Sequence, residues 1–332
     1  MSPTPRAAPG QLLDGRFLLK EEIGRGGMST VFKAEDLALG GHCAVKMPLP
    51  LYASGVGSWS MFQREAEIGA RLDHPSLLRF VALPPDRRRS YVVTEFIDGT
   101  SLASRVGRGR RLPEPEAFRL MQRICDAVDY LHRQGIVHYD LKPGNVVFCD
   151  DGSLRVIDFG MAHEVATRRL GSGGSVPPIA TSDYVAPEQI RRKRGQTSVD
   201  VYALGAMLYE MLTGAPPFEN DDPFVVASAR QIGDPRAPRA KVPSISREAE
   251  EIVLRALRRN PKERYASVAN LARDIAEPGR VQVSGLCEHL VEVTPLRKGL
   301  RWLRYLTVVG VAPLAVLALS FRVLWLYLEH KR

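Results

Sequence analysis

Residues 138–145 read His-Tyr-Asp-Leu-Lys-Pro-Gly-Asn, and residues 158–160, which begin thirteen positions after Asn145, read Asp-Phe-Gly. An apolar run precedes each stretch, 136–137 in the first case and 154–157 in the second. Short apolar runs of this kind are typical of buried strands, so both stretches are predicted to be loops at strand ends. Together they supply two carboxylates, a lysine and a carboxamide: Asp140, Asp158, Lys142 and Asn145.

These residue types suit the transfer of a phosphoryl group from ATP. One carboxylate can orient the attacking hydroxyl, the other can hold Mg²⁺ with the amide oxygen, and the lysine can neutralise phosphate charge. In this order and spacing the residues resemble the protein kinase family, whose members carry such a catalytic loop followed by Asp-Phe-Gly. The resemblance implies that Asp140 and Lys142 are catalytic. It also implies that Asn145 and Asp158 bind Mg²⁺, for which Mn²⁺ is a possible substitute.

A glycine-rich segment near the N terminus resembles the loop that covers the nucleotide phosphates in this family. It reads Ile-Gly-Arg-Gly-Gly-Met-Ser-Thr-Val over residues 23–31, between strand-like runs at 16–19 and 31–34. Glycine allows backbone amides to approach phosphates closely because it has no Cβ. The third glycine of the family pattern is replaced by the small Ser29. The residues that the resemblance assigns to ATP binding here are Ile23, Gly24, Gly26, Gly27, Ser29 and Val31.

An ion pair is predicted between Lys46, at the end of the strand-like run 43–46, and Glu65. Residues 60–72 are predicted to form a helix, on which Glu65 shares a face with Ile68, Gly69 and Leu72. A carboxylate on an apolar face is costly unless it is paired. The resemblance supplies Lys46 as the partner, which would then be held against the α- and β-phosphates.

Residues 91–97 are strand-like and lead into a turn at Asp98-Gly99. By the resemblance this is the hinge between two lobes, with Thr94 as the gatekeeper and the backbone of Glu95 to Ile97 facing adenine. The apolar side chains around the base would be Ile23, Val31, Ala44, Val147 and Ile157. The same five residues would also be expected in an ordinary hydrophobic core.

Residues 186–188 read Ala-Pro-Glu, which matches the family's peptide-handling segment. Thr181, five residues before it, resembles the threonine that bridges the catalytic Asp and Lys in serine/threonine kinases. Lys142, two residues after Asp140, is also typical of serine/threonine kinases, since tyrosine kinases usually carry an arginine near that point.

Asp200 opens a run to Leu212 that is apolar nearly all round, which predicts a buried helix. It resembles the aspartate that ties this helix to the catalytic loop. Arg264 matches the arginine that pairs with the glutamate at 188.

The predicted fold class is α+β, the bilobal protein kinase fold with a β-rich N-lobe and a helical C-lobe, followed by a single transmembrane helix. A chain of 332 residues is too long for one core and suits two lobes with appendages. Amphipathic helices are predicted at 116–132, 247–258 and 267–275. The predicted organisation is a disordered N terminus 1–12, a kinase domain 13–277 (N-lobe 13–97, C-lobe 98–277), a juxtamembrane linker 278–302, a transmembrane helix 303–328 and a tail 329–332.

The transmembrane prediction rests on an uncharged run from 305 to 321 that resumes at 323–328, after Arg322. This is enough to cross ~30 Å of hydrocarbon at 1.5 Å per residue. Basic residues are more numerous before the run than after it, which places the kinase domain on the cytoplasmic side of a bacterial inner membrane. Pro313 and Arg322 favour the alternative of a buried or surface-lying helix.

The formal charge of +9 raises the possibility of nucleic-acid binding. We expect no nucleic-acid partner, because aromatic residues are not interleaved with the basic clusters and no nucleic-acid fold is matched. Solvated faces, acidic partners and anionic lipid account better for the charge. The four cysteines are scattered, as suits a reducing compartment.

The resemblance implies ATP-dependent phosphorylation of serine and threonine hydroxyls on proteins, including autophosphorylation, by a membrane-tethered bacterial kinase. A homodimer and a cognate phosphatase are possible partners. A pseudokinase scaffold is one alternative, disfavoured because every catalytic position holds a competent residue. A kinase-like small-molecule phosphotransferase is another, disfavoured by the peptide-handling residues Thr181 and 186–188.

Tyr139 is the clearest departure from the family pattern. Most regulated kinases carry an arginine there, which receives the phosphate of the activation loop, here predicted between residues 160 and 186. A tyrosine hydroxyl cannot neutralise a dianionic phosphate. We therefore expect that activity does not depend on phosphorylation of this loop.

Overall fold

The structure is a computed structural model, and it describes residues 7–26, 29–49, 56–83, 91–159, 162–164, 183–190 and 196–291. The N-terminal lobe is built on an antiparallel five-stranded sheet with the order β1-β2-β3-β4-β5. Its strands are Leu12–Leu13, Phe17–Arg25, Ser29–Asp36, His42–Pro48 and Val92–Glu95. Helix α1, Val56–Gly69, lies between β4 and β5 in the chain.

The two faces of this sheet differ because side chains alternate along each strand. Phe32, Ala34 and Val45 lie on the buried face, in the core of the N-terminal lobe. Val31 pairs with Lys46 across β3 and β4, and both belong to the opposite face. The register of the sheet therefore places the predicted nucleotide-binding residues of β3 and β4 on one side.

The C-terminal lobe is mainly helical among the described residues. Its helices are α2 Glu114–Arg133, α3 Pro187–Ile190, α4 Ser198–Thr213, α5 Pro223–Ile232, α6 Pro238–Lys241, α7 Arg247–Ala256 and α8 Val268–Ala276. Short antiparallel strands precede most of them: β6 Gly99–Ser101, β7 Ile136–Val137, β8 Val146–Cys149, β9 Leu154–Val156 and β10 His163–Glu164. Helix α4 is buried nearly throughout, as its sequence predicts, and the core of this lobe surrounds it.

The predicted helices are present with shifted ends. Helix α1, Val56–Gly69, is shifted toward the N terminus relative to the predicted segment 60–72, whereas α2 extends beyond the predicted 116–132 at both ends. Pro113 precedes α2, and glutamates at 114 and 116 occupy its first turn, where they interact favourably with the helix dipole.

Two predicted boundaries are wrong. Residues 7–12, assigned to a disordered N terminus, are part of the fold: Leu12 pairs with Leu18, and Gly10 N donates to Leu19 O at 2.8 Å. Residues 278–291, assigned to a linker, pack on the C-terminal lobe and include the 3₁₀ turns Pro278–Arg280 and Leu286–His289. The first segment pairs with the neighbouring strand β2, whereas residues 278–291 are held by contacts to Glu251 and Asp234, which their local sequence does not reveal.

Among the described residues, the structure contains no helix with the length and apolar character needed to span a membrane. The predicted transmembrane segment, 303–328, lies outside the described residues.

Candidate active site

Asp200, in the first turn of α4, holds the catalytic loop, residues 138–145, through hydrogen bonds. Its carboxylate accepts hydrogen bonds from the backbone amides of His138 and Tyr139, both at 2.9 Å. It also bonds His132 Nε2 at 2.8 Å. The loop is thereby fixed by a carboxylate that is itself completely buried.

Burial alone would raise the pKa of the Asp200 carboxyl. The hydrogen bond from His132, the charges of both nearby histidines and the amide of His138 outweigh burial, and the pKa is lowered. Asp200 is therefore a stable anion and a constant acceptor for the loop amides.

Asp140 lies beside Lys142 and Asn145 in this loop. Lys142 Nζ is 2.6 Å from Asp140 Oδ2, and Asn145 Nδ2 donates to Asp140 O at 2.8 Å and to Oδ2 at 3.1 Å. The 3₁₀ turn Pro143–Asn145 brings Asn145 back toward Asp140. A carboxylate with an adjacent ammonium and carboxamide can orient a hydroxyl and neutralise charge that develops on a phosphoryl group.

The predicted ion pair of Lys46 is present. Lys46 Nζ bonds Glu65 Oε1 at 2.9 Å and Oε2 at 3.1 Å, and it also bonds Asp158 Oδ1 at 2.7 Å. Burial lowers the pKa of Lys46, but the two carboxylates more than compensate, so that the pKa is raised and the ammonium stays charged. Lys46 therefore links strand β4, helix α1 and the Asp-Phe-Gly segment.

Asp158 and Phe159 occupy opposite environments. Asp158 is partly exposed and has a φ of 67°, a left-handed conformation that is uncommon for a residue other than glycine and often marks a functional site. Phe159 is buried, with its ring centroid 5.4 Å from that of His138 and 5.7 Å from that of Phe80. Packing of Phe159 anchors the segment and leaves the Asp158 carboxylate facing Lys46.

Most of the described residues assigned to the nucleotide pocket lie on strands β2 to β5 of the N-terminal sheet. Ala44 pairs with Thr94 across β4 and β5, and Gly24 pairs with Val31 across β2 and β3. Ile23 is 46% exposed, as expected for a residue at the edge of a cleft. Gly26 N donates to Ser29 O at 2.8 Å. Val147 pairs with Ser101 and Arg155 in the small sheet of the other lobe.

The side chain of Glu95 has a separate role. Its Oε1 accepts from Arg79 N at 3.0 Å and from Arg155 Nε at 3.2 Å, so that it connects the hinge strand to strand β9. The assignment of adenine contacts to the backbone of Glu95 and Ile97 stays a prediction. Two predicted site residues, Gly27 and Thr181, lie outside the described residues.

The Ala-Pro-Glu segment is fixed in two ways. Glu188 forms a bidentate pair with Arg264, with N–O distances of 2.6 and 2.8 Å, and both side chains are buried. The adjacent Gln189 donates to the carbonyl of Tyr139 at 3.1 Å, next to Asp140. The first contact is the predicted ion pair, and the second joins the segment directly to the catalytic loop.

Three connections were missed in the sequence. No local sequence pattern marks Gln189 or His132 as a functional residue. Gln189 follows Glu188 of the Ala-Pro-Glu segment, and His132 lies near the end of a predicted amphipathic helix. The bond between Lys46 and Asp158 joins residues 112 positions apart, and only the folded chain shows it.

Comparison with known proteins agrees with this geometry. The family model described as the protein kinase domain matches residues 17–275. Serine/threonine-protein kinase PknB of Mycobacterium tuberculosis is 36% identical over 267 residues, which cover 79% of this chain and 43% of the relative. A probable serine/threonine-protein kinase of Streptomyces coelicolor is 35% identical, with 79% and 40% covered. The chain thus spans about two fifths of the length of these curated relatives.

The fold has a counterpart among solved structures. The crystal structure of the Mycobacterium tuberculosis PknI kinase domain superposes with a TM-score of 0.62 and 24% sequence identity. The match covers 82% of this chain and all of the other. Fold and site together define a bilobal domain in which Lys46 of one lobe bonds Asp158 of the other. The chain belongs to the protein kinase family.

Proposed function

We propose that this protein transfers the γ-phosphoryl group of ATP to serine and threonine hydroxyls on proteins, including itself. The proposal rests on a network of hydrogen-bonded charged side chains at the junction of the two lobes, which we call the cleft. Lys46 is bonded to Glu65 and Asp158 at one end, and Asp140 is bonded to Lys142 and Asn145 at the other. Asp140 would orient and deprotonate the acceptor hydroxyl, while the lysines neutralise phosphate charge.

The donor set of the cleft fits Mg²⁺. Asp158 supplies a carboxylate and Asn145 a carboxamide oxygen, the hard ligands that Mg²⁺ prefers. The described residues contain no cluster of three or more His, Cys, Asp or Glu that could hold a metal alone. A site of one carboxylate and one amide suits Mg²⁺ that arrives with nucleotide phosphates. When bound, the ion would offset negative charge on the β- and γ-phosphates.

Two substitutions test this proposal. Lys46→Met removes the ammonium, and Asp140→Asn removes the base while keeping its shape. Each should reduce phosphoryl transfer to a protein substrate by several orders of magnitude, because each effect contributes several kcal/mol to the transition state. Lys20→Met is the matched control: Lys20 lies on the same sheet but pairs with Glu35 at the surface, so the rate should stay largely unchanged.

The serine/threonine specificity is supported by the relatives' names and by Lys142, which lies 2.6 Å from the Asp140 carboxylate. The scaffold alternative is disfavoured because Asp140, Lys46 and Asp158 are all present and in contact with partners that suit catalysis. The small-molecule alternative is disfavoured by the built Ala-Pro-Glu segment and its buried pair Glu188–Arg264.

We further propose that residues 303–328 anchor the domain to a bacterial inner membrane with the kinase domain on the cytoplasmic side. The uncharged run and the excess of basic residues before it support this proposal. The full chain should fractionate with membranes, and deletion from Leu303 onward should release it. Extraction of the full chain by carbonate or high salt would instead indicate a surface-lying amphipathic contact.

A further inference from the structure

A basic segment lies between the 3₁₀ turn Leu102–Ser104 and helix α2. Residues 105–111 read Arg-Val-Gly-Arg-Gly-Arg-Arg, with four arginines and no acidic residue. We call this segment the arginine hairpin. The proposed catalytic residues do not include it, and it matches none of the motifs that define the family.

The backbone of the arginine hairpin is fixed by hydrogen bonds. Gly107 and Arg110 exchange two backbone hydrogen bonds, both 3.0 Å long, around Arg108 and Gly109. The φ angles of Arg108 and Gly109 are 52° and 82°, so that the two form a type I′ turn. Further bonds from Gly109 N to Gly214 O (3.0 Å) and from Leu112 N to Met211 O (2.7 Å) fasten the hairpin to the C-terminal end of α4.

The tip of the hairpin carries an arginine at an unfavourable position. The first central residue of a type I′ turn is normally Asn, Asp or Gly, because a left-handed conformation is costly for other residues. Arg108 adopts this conformation nevertheless. Strain of this kind is retained where the side chain has a use, and functional sites are where it concentrates.

Three of the four arginines are not neutralised by a carboxylate within the described residues. Arg105 pairs with Glu116 at 2.6 Å and lies over the ring of Phe148. Arg110 reaches only the backbone carbonyls of Gly107 and Ala103, both at 3.5 Å. Arg108 and Arg111 are exposed and form no hydrogen bond or ion pair with any residue in the described part of the chain.

The acidic residues of the loop that follows α4 are mostly engaged elsewhere. Glu219 pairs with Lys241 at 2.6 Å, and Asp222 caps α5 through the amide of Phe224 at 2.8 Å. Asp221 is the third acidic residue of this loop. The hairpin therefore presents a surplus of positive charge.

The hairpin also lies close to the peptide-handling segment. A Cβ on Gly107 would come within 2.6 Å of Glu210 Oε1, and the other oxygen of Glu210 accepts a hydrogen bond from the hydroxyl of Tyr184. Tyr184 precedes the Ala-Pro-Glu segment by two residues.

Glu210 is also ten residues along α4 from Asp200, which holds the catalytic loop. Ten helical residues correspond to about 15 Å, the length of four or five extended peptide residues.

We propose that the arginine hairpin binds acidic side chains of the substrate polypeptide, about four or five residues from the acceptor serine or threonine. The inference rests on the proposed kinase activity and adds its substrate class. Guanidinium groups suit this task because they bind carboxylates in a bidentate geometry. The proposed partner of the hairpin is an acidic segment of a protein substrate, which exposed arginines on a hydrogen-bonded backbone turn would select.

Matched peptides test the proposal with the full-length protein. Each peptide has one acceptor serine, and either aspartate or alanine at positions four and five on its N-terminal or its C-terminal side. Wild type should have a KM about tenfold lower for one of the acidic series than for its alanine counterpart, with similar kcat. This magnitude is that of two exposed ion pairs. The preference should shrink at high salt, since exposed charges are screened.

Two kinds of variant distinguish binding from folding. The double variant Arg108→Glu, Arg111→Glu should lose the acidic preference and favour lysine at the same positions, while its kcat for the alanine peptide stays unchanged. Arg108→Asn should weaken the preference about threefold and raise the Tm, because asparagine suits the turn. Arg273→Glu, on α8, is the matched charge control and should keep the full preference.

The outcomes separate this inference from the proposed function. Equal kcat/KM for acidic and alanine peptides, or a preference that survives in the double variant, would overturn the role of the hairpin while the kinase activity stands. No transfer to any peptide, to a protein substrate or to the protein itself would refute the proposed function. The role of the hairpin could then still be decided by binding alone. A fluorescently labelled acidic peptide would be titrated with the Asp140→Asn variant, and binding would be measured by fluorescence anisotropy. Hairpin-dependent binding to phosphatidylserine vesicles without any peptide preference would assign the arginines to lipid and contradict the proposal.

Discussion

Tyr139 precedes Asp140, the proposed catalytic aspartate, and is held through its backbone. Its amide donates to Asp200 Oδ1 at 2.9 Å, its carbonyl accepts from Gln189 Nε2 at 3.1 Å, and its φ of 67° is left-handed. Neither of these bonds involves a phosphate. The position of the catalytic loop is therefore supported by α4 and by the residue after Ala-Pro-Glu.

We predict from this support that the dephosphorylated enzyme keeps most of its activity. Thr167→Ala, Ser172→Ala and Ser175→Ala should each change the rate only a few-fold. Thr181→Ala should be severe if the residue bridges Asp140 and Lys142, as the family resemblance implies. All four positions lie outside the described residues. The measurement is the rate before and after phosphatase treatment, and a hundredfold fall, about 2.7 kcal/mol, would contradict the prediction.

Asp200 provides a second test at the scale of single residues. Asp200→Ala leaves two loop amides and His132 without their acceptor, and should lower the free energy of unfolding by about 3–5 kcal/mol. Asp200→Asn keeps the shape and one acceptor oxygen, so its effect should be smaller. Urea unfolding gives the free energies, and phosphoryl transfer should fall in parallel.

The pH dependence of this contribution has a defined sign. The pKa of Asp200 is lower in the folded protein than in the unfolded chain. Its stabilising effect is therefore fully present above the unfolded pKa and is lost as the pH falls through the folded pKa. The stability difference between wild type and Asp200→Asn should shrink in acid, and a difference that is independent of pH would contradict this account.

At the scale of elements, the C-terminal strap, residues 278–291, is a part of the fold that the sequence did not reveal. Glu251, itself buried, accepts hydrogen bonds from the hydroxyl of Ser284 and from Leu286 N. Asp234 and Val291 are joined by two hydrogen bonds, both at 2.9 Å, one between their backbones and one from Val291 N to the Asp234 carboxylate. The anchors belong to α7 and to the loop after α5, so no pattern within the strap predicts its docking.

We predict that removal of the strap destabilises the domain. A chain that ends at residue 277 leaves the carboxylates of Glu251 and Asp234 without these partners, and should lose about 2–5 kcal/mol of unfolding free energy relative to a chain that ends at 291. The chain that ends at 291 is the matched control, because it keeps the strap and lacks only residues 292–332. Equal urea midpoints for the two truncated chains would show that the strap contributes nothing.

At the scale of the whole molecule, the sequence predicted the two lobes and most of the site because the site motifs are short and local. The catalytic loop, the Asp-Phe-Gly segment and the glycine-rich loop each carry their residues within a few positions. The pair Glu188–Arg264 was accessible only through the family resemblance, since 76 positions separate its members. The contacts of Gln189, the docking of residues 278–291 and the geometry of the arginine hairpin depend on tertiary packing, which local patterns do not encode.

The charge network of the cleft connects both lobes through Lys46 and Asp158, and it supports the central claim that this protein phosphorylates serine and threonine. The most direct test is to incubate the purified full chain with Mg²⁺-ATP and locate phosphate by tandem mass spectrometry, with Asp140→Asn in parallel. The account predicts phosphoserine or phosphothreonine on the wild-type protein and on an added protein substrate, and none with Asp140→Asn. A wild-type protein that binds ATP but transfers no phosphate to any protein hydroxyl would contradict it and identify a scaffold.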